Sequence, residues 1–256
     1  MSRRVVVMIV EGVTDKIALR GNLNHLVKDK TIEFEPTSGD ITSDKSLIGQ
    51  VNLDDYIADC VRGLISKNND FTLSDVVEVV QLIDSDGLYI PSDSIIQKRL
   101  PDGVAEDEEN RRPVYGEKTI AALDVTKERE TLENKRFAVR DLLEKKTIDF
   151  GRGIIKPYSI FYNSCNLEHA IFDKQNTPNR EKRQLANDFA DKHYGNDKKF
   201  ITLFDSLNRS RSWDVSISWN FLKEGFNSLE RGSNLIIYLR KLNPELVKKL
   251  STFTCD

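Results

Sequence analysis

Residues 5–26 read "VVVMIVEGVTDKIALRGNLNHL", and their pattern decides the fold class. Val5 to Val10 form an unbroken apolar run, mostly β-branched, without the polar alternation of a strand that keeps one face wet. Such a strand is expected to be covered on both faces, as in a parallel sheet. Glu11 and Gly12 end the run, and Ile17, Leu19, Leu23 and Leu26 then recur at roughly helical spacing. The segment therefore predicts a strand, a tight glycine turn and a helix.

The alternation continues downstream. "TIEFEP" (31–36) predicts a second strand and "TSGDITSDKS" (37–46) a loop. A helix is predicted over 47–67, with Ile48, Val51, Leu53, Ile57, Val61, Leu64 and Ile65 on its apolar face, and "DVVEVVQLI" (75–83) is a third strand. Strand and helix in turn define an α/β fold with a parallel sheet flanked by helices. Residues 98–149 are densely charged and read as a largely helical insertion, with an apolar stripe at Phe137, Val139, Leu142 and Leu143. "KPYSIFYNS" (156–164) returns to strand character, and "NLEHAIFD" (166–173) starts a helix with Asn166 as its N-cap. The core is thus expected over 1–97 and 150–175, and a mostly helical C-terminal region over 176–256.

Composition narrows the class. The chain has 256 residues, 39% hydrophobic and 31% charged, with a formal net charge of -3, so a nucleic-acid partner needs a local basic patch and not a bulk field. Three cysteines lie far apart, without CxxC or zinc-ligand spacing, which fits a reducing cytoplasm. The first apolar run is too short for a signal-peptide core, and no stretch approaches the roughly 18 apolar residues of a membrane span.

Two predicted strands end in acids: the first in Glu11, the third in Asp84 and Asp86, followed by Gly87. In an open parallel sheet, ligands collect outside the carboxyl ends of the strands. In an extended chain residues i and i+2 face one side, so Asp84 and Asp86 are expected to point together while Ser85 turns away. Carboxylates crowded in a partly buried volume raise one another's pKa or take up a cation. With oxygen ligands and no neighbouring His or Cys in the sequence, magnesium or manganese is favoured over zinc.

These motifs resemble the Toprim domain of topoisomerases, bacterial primases, RNA-maturing nucleases and OLD-family nucleases. "VVVMIVEGVTDKIAL" matches its glutamate-ending first strand, and "VVQLIDSDG" its DxD pair at the end of the third. The resemblance implies a metal-dependent nuclease acting on DNA or RNA, with Glu11, Asp84 and Asp86 catalytic and metal-binding. Asp15 matches the acid of the "EG-x-x-D" form, and equally fits a first-turn helix acid favoured by the helix dipole. Gly39 and Asp40 match a glycine-containing loop. "SIFYNSCNLEHAIF" (159–172) is similar to a segment of RloB-like and abortive-infection Toprim proteins, which implies Glu168 as a further metal ligand and an anti-phage effector or toxin as the setting. His169 beside it reads as a surface or core histidine. No GxxxxGK[ST] occurs in the sequence, so any ATP-driven control is expected from a separate ATPase partner.

Substrate contacts are sought among the basic clusters: Lys145 and Lys146; Arg152 and Lys156; Arg180, Lys182 and Arg183; Lys198 and Lys199; Arg209 and Arg211. Lys156, Arg209 and Arg211 are chosen as nucleic-acid contacts, and Trp213 and Trp219 read as core anchors. Two alternatives stand. "LIDSDGLYI" also resembles the DxDGT motif of haloacid-dehalogenase phosphatases, with Asp84 as nucleophile, and a catalytically inert Toprim module that only binds a partner or nucleic acid is the other.

Overall fold

The computed structural model describes residues 4–27, 32–38, 52–68 and 70–250. Strand β1 (Arg4–Val10) leads through helix α1 (Val13–Leu26) to β2 (Ile32–Ser38), which lies parallel on one side of β1. Helix α2 (Leu53–Lys67), capped by the Asn52 side chain, returns the chain to β3 (Val76–Asp84) on the other side of β1. The connections thus diverge to opposite sides of β1, and the gap between β1 and β3 is the switch point of the sheet. Crevices of this kind form outside the carboxyl ends of the strands.

Beyond β3 comes β8 (Ile155–Ser164), also parallel, and the antiparallel β7 (Thr147–Asp149); β9 (Gly232–Ser233) pairs antiparallel with the last residues of β8. The order β2-β1-β3-β8-β7 is a parallel-rich α/β sheet flanked by helices. Helix α5 (Leu167–Phe172) follows β8 with Asn166 Oδ1 accepting from the His169 amide at 2.9 Å, the expected cap. Helices α6 (Asn179–His193), α7 (Asp197–Leu207), α8 (Val215–Leu222), α9 (Leu235–Leu242) and α10 (Pro244–Leu250) make up the C-terminal region.

The apolar run of β1 is split by strand parity. Val6, Met8 and Val10 pack with Leu19 and Leu23 of α1, Phe189 of α6 and Phe204 of α7. Val5, Val7 and Ile9 pack on the other face with Ile57 and Val61 of α2 and Trp219 of α8. All six are buried, each contributing about 1.5–3 kcal/mol relative to exposure. The two polar residues inside β3 are paired: Glu78 accepts from Lys241 Nζ at 2.7 Å and from the Tyr238 hydroxyl at 3.2 Å, and Gln81 accepts from the Tyr158 hydroxyl.

Between β3 and β7 the charged segment makes a small sheet of β4 (Ile95–Gln97), β5 (Val114–Tyr115) and β6 (Ile120–Ala122). The short α3 (Glu108–Arg111) precedes β5, and the 20-residue α4 (Val125–Glu144) follows β6. The buried face of α4 carries Leu132, Lys135, Ala138, Val139 and Leu142. It is rotated from the expected stripe, and Phe137 is 45% exposed. Among the described residues no helix is long and apolar enough to cross a membrane.

Candidate active site

Register brings the acidic strand ends together. Val10 pairs with Leu82 and Asp84 with Asn163, so β1, β3 and β8 end nearly level at the switch point. Glu11 comes next after Val10 and meets α4, whereas Asp84 lies within the electrostatic reach of Asp15 on α1 and Glu168 on α5. Glu11, Asp15, Asp86 and Glu168 each lie near enough to Asp84 for their charges to act on it. Gly39 and Asp40 lie outside the described residues.

Asp86 arrives by a different route from the one expected. Strand alternation stops at Asp84, the last residue of β3; Asp86 and Gly87 then take positive φ values of 48° and 71°. Asp tolerates this left-handed conformation better than most residues. At Gly87 a Cβ would lie 2.7 Å from Ile120 Cδ1 and 2.8 Å from Leu229 Cδ2, so only glycine fits the turn. Ser85 is fully buried as the clamp of this turn: its hydroxyl donates to Ser228 O at 2.8 Å and accepts from the Cys165 amide at 2.8 Å.

The turn aims Asp86 at two residues of the insertion. Lys135 Nζ donates to Asp86 Oδ2 at 2.6 Å and to Glu11 Oε1 at 3.1 Å, and the Tyr115 hydroxyl donates to Asp86 Oδ1 at 3.1 Å. Burial, followed by the Asp86 charge, holds the Tyr115 phenol well above its usual pKa, so it stays a donor. Burial and the same aspartates push the Cys165 thiol up, which removes it as a nucleophile.

The remaining acids are under-compensated. Burial, then the charges of Asp15, Glu11, Asp86 and Glu168, holds the Asp84 carboxyl well above the usual carboxylate range. Its side-chain hydrogen bond is a long one, 3.3 Å from Asn163 Nδ2. Asp15 is 6% exposed and caps α1 by accepting from the Gly12 amide at 2.8 Å; burial still raises it from 3.8 to about 6, and Glu168 adds to the rise. Glu168, 5% exposed, pairs with Lys182 of α6 at 3.4 Å. Among the described residues, Lys135 pairs with Glu11 and Asp86, and Lys182 with Glu168.

This oxygen-only donor set suits a hard divalent ion by its chemistry. As folded, however, no three His, Cys, Asp or Glu side chains among the described residues stand close enough to hold one. The Glu11–Asp86 edge, expected to share an ion, is spanned instead by the Lys135 ammonium.

The expected substrate contacts disperse. Lys156 sits near the start of β8, seven residues from Asn163 and so about 23 Å from the acidic rim. Arg209 and Arg211 are exposed on the α7–α8 loop; Arg209 packs beside Gly232 and Ser164, at the rim end of β8, and pairs with Glu230 at 3.3 Å. Trp219 is a core anchor, 1% exposed, donating to Ile160 O. His169 is buried, and burial lowers its pKa. A groove of about 500 Å³ borders Tyr89, just past the Asp86 turn, and is lined by Arg136, Phe137, Arg140 and Lys223 together with Glu133 and Glu144. It shares Leu143 and Lys223 with a second hollow of about 350 Å³ that reaches Lys145 and Lys146.

Lys135, Tyr115 and Lys182 are the site residues that sequence reasoning passes over as such. Lys135 has a visible signal: with Leu132, Val139 and Leu142 it falls on one helical stripe, and a lysine there must be paired or desolvated. Compared with protein-family models, with curated proteins and with solved structures, the chain finds no match.

Proposed function

We propose that the chain is a Toprim-type, magnesium- or manganese-dependent nuclease that hydrolyses phosphodiester bonds in DNA or RNA. The observation that carries this reading is the placement of Glu11, Asp15, Asp86 and Glu168 within charge reach of Asp84 at the switch point of a parallel sheet, where burial first and the neighbouring acids second push the Asp84 and Asp15 carboxyls upward. A divalent ion would have to draw Asp84, Asp15 and Glu168 together, since as folded no three acids among the described residues stand close enough to hold one. Such an ion, when bound, supplies a Lewis acid for a phosphate oxygen and lowers the pKa of water.

The protein's own groups do the rest. Asp84, whose carboxyl burial holds high, would have to give up its proton for a cation to bind, so binding would be pH-dependent. Glu11 and Asp86, both held by Lys135, reach the rim with side chains 15% and 27% exposed. Lys135 and Tyr115 fix both oxygens of Asp86, so the acidic rim keeps its shape without substrate. The groove beginning at Tyr89, where Arg136, Arg140 and Lys223 outnumber Glu133 and Glu144, offers a path for a nucleic-acid strand. The setting we propose, a cytoplasmic anti-phage effector or toxin controlled by a separate ATPase, rests on the resemblance of residues 159–172 alone.

The test is to incubate purified protein with plasmid, single-stranded DNA and total RNA in manganese, magnesium or chelator. Metal-dependent cleavage of any of the three supports the proposal. Hydrolysis of small phosphomonoesters with an aspartyl-phosphate trapped at Asp84 supports the phosphatase, and strand binding without turnover supports the inert module.

A further inference from the structure

We infer that the hollow between α4, β8 and α8 is a binding site for a small phosphate monoester, separate from the acidic rim and independent of the nuclease reading.

The sheet itself leaves the space. Strand β7 covers the outer edge of β8 only as far as Pro157, and β9 resumes the cover at Asn163. Between them, no strand among the described residues lies against 158–162 on that side. Helix α8 stands there instead, with Trp219 Nε1 donating to Ile160 O at 3.3 Å, while the Tyr158 amide donates to Lys146 O at 2.8 Å. The amide and carbonyl of one strand residue point to the same side, so the Ile160 N–H also faces away from β3, toward the hollow that Ile160 lines.

The hollow measures about 350 Å³, within the roughly 300–1,000 Å³ of small-ligand pockets. Leu143, Val215 and Trp219 give it an apolar wall, and Lys145, Lys146 and Lys223 supply its charge; no Asp or Glu among the described residues lines it. Lys145 pairs with Asp54 at 2.8 Å, and Lys145 and Lys223 each close a helix, where the macrodipole favours a cation. Lys146 has neither duty. It is exposed, and among the described residues its ammonium makes no ion pair.

Donors of this kind select an anion, and their number favours a phosphate monoester, which carries about −1.5 to −2 at pH 7, over a singly charged carboxylate. Its oxygens accept from ammonium and backbone N–H groups alike, and the apolar wall holds the organic body. The adjoining groove shares Lys223, but Glu133 and Glu144 dilute its charge, so the phosphate belongs in the hollow. Ile160 stops three residues, about 10 Å, short of Asn163, the partner of Asp84, which keeps the bound ester away from the carboxylates.

The experiment titrates the full chain, in chelator, with phenyl phosphate and with adenosine monophosphate, by calorimetry and by fluorescence. The chain has two tryptophans, and Trp213→Phe leaves Trp219, in the wall of the hollow, as the reporter. Saturable binding of either ester is expected, with competition by inorganic phosphate and none by phenol or adenosine. Lys146→Glu should weaken it at least about tenfold, Lys146→Arg should keep it, and Ser216→Tyr, which fills the hollow from an exposed position on α8, should abolish it. Circular dichroism verifies that each variant is folded. Binding of neither ester overturns the inference, as does equal binding of phenol or adenosine. Ester binding that survives Lys146→Glu or Ser216→Tyr places the anion elsewhere and overturns it too. A short single strand that binds with this dependence on Lys146 and Ser216 while the esters do not makes the hollow part of the strand path, and the ester site is then refuted.

Discussion

Replacing Asp15 with asparagine is expected to stabilise the metal-free protein at neutral pH. Burial raises the Asp15 carboxyl from 3.8 to about 6, and each pKa unit corresponds to about 1.4 kcal/mol. A carboxylate with a raised folded pKa favours the folded state only while protonated. That contribution is complete below the unfolded pKa, near 4, and is lost as pH climbs through 6. Ionised Asp15 therefore costs the fold about 3 kcal/mol at pH 7.5 and about 1 kcal/mol at pH 4.5. Asparagine keeps an oxygen to accept from the Gly12 amide, so the helix cap survives.

The assay is urea unfolding of wild type and Asp15→Asn in chelator at both pH values. The stability advantage of the variant should grow by about 2 kcal/mol from pH 4.5 to 7.5. His169 and His193, whose pKa values burial lowers, act with the opposite sign, but they are common to both proteins and cancel in the difference. Magnesium should restore the wild type at pH 7.5 and help the variant less. An advantage independent of pH, or a variant less stable at pH 7.5, refutes the claim that Asp15 is a buried acid awaiting a cation.

Gly87→Ala meets both a positive φ and contacts of 2.7 and 2.8 Å, so it should lower the unfolding free energy by about 2 kcal/mol or more; an unchanged melting temperature would contradict the turn geometry. Arg140→Ala with Lys223→Ala should weaken binding of a fluorescent single strand in chelator and flatten its salt dependence. Equal salt slopes would exclude the groove as the strand path.

Much of the site is legible in the sequence because strand ends are. "VVVMIV" and "VVQLI" are long apolar runs, each stops at acids, and parallel pairing leaves such stops at one rim. The Asx-cap at Asn166 likewise announces the helix that brings in Glu168. What stays hidden is set by geometry across the chain. Asp86 reaches the rim through left-handed residues and not through alternation, which a strand pattern does not encode. The strands β4, β5 and β6 have two or three residues each, too few for a period to emerge. Lys135 lies 124 residues from Glu11 in a segment full of lysines, where only its position on an apolar stripe sets it apart. Lys182 sits in an ordinary basic cluster, and its link to Glu168 follows from the docking of α6 beside α5.

The most direct measurement compares wild type with Glu11→Gln and Asp84→Asn for cleavage of plasmid, single-stranded DNA and RNA in manganese, with folding verified for each. We expect a wild-type product that chelator abolishes, and a loss of at least about 100-fold in both variants. Undiminished cleavage by a folded Asp84→Asn, or wild-type cleavage that persists in chelator, would contradict a metal-dependent centre at the switch of the sheet.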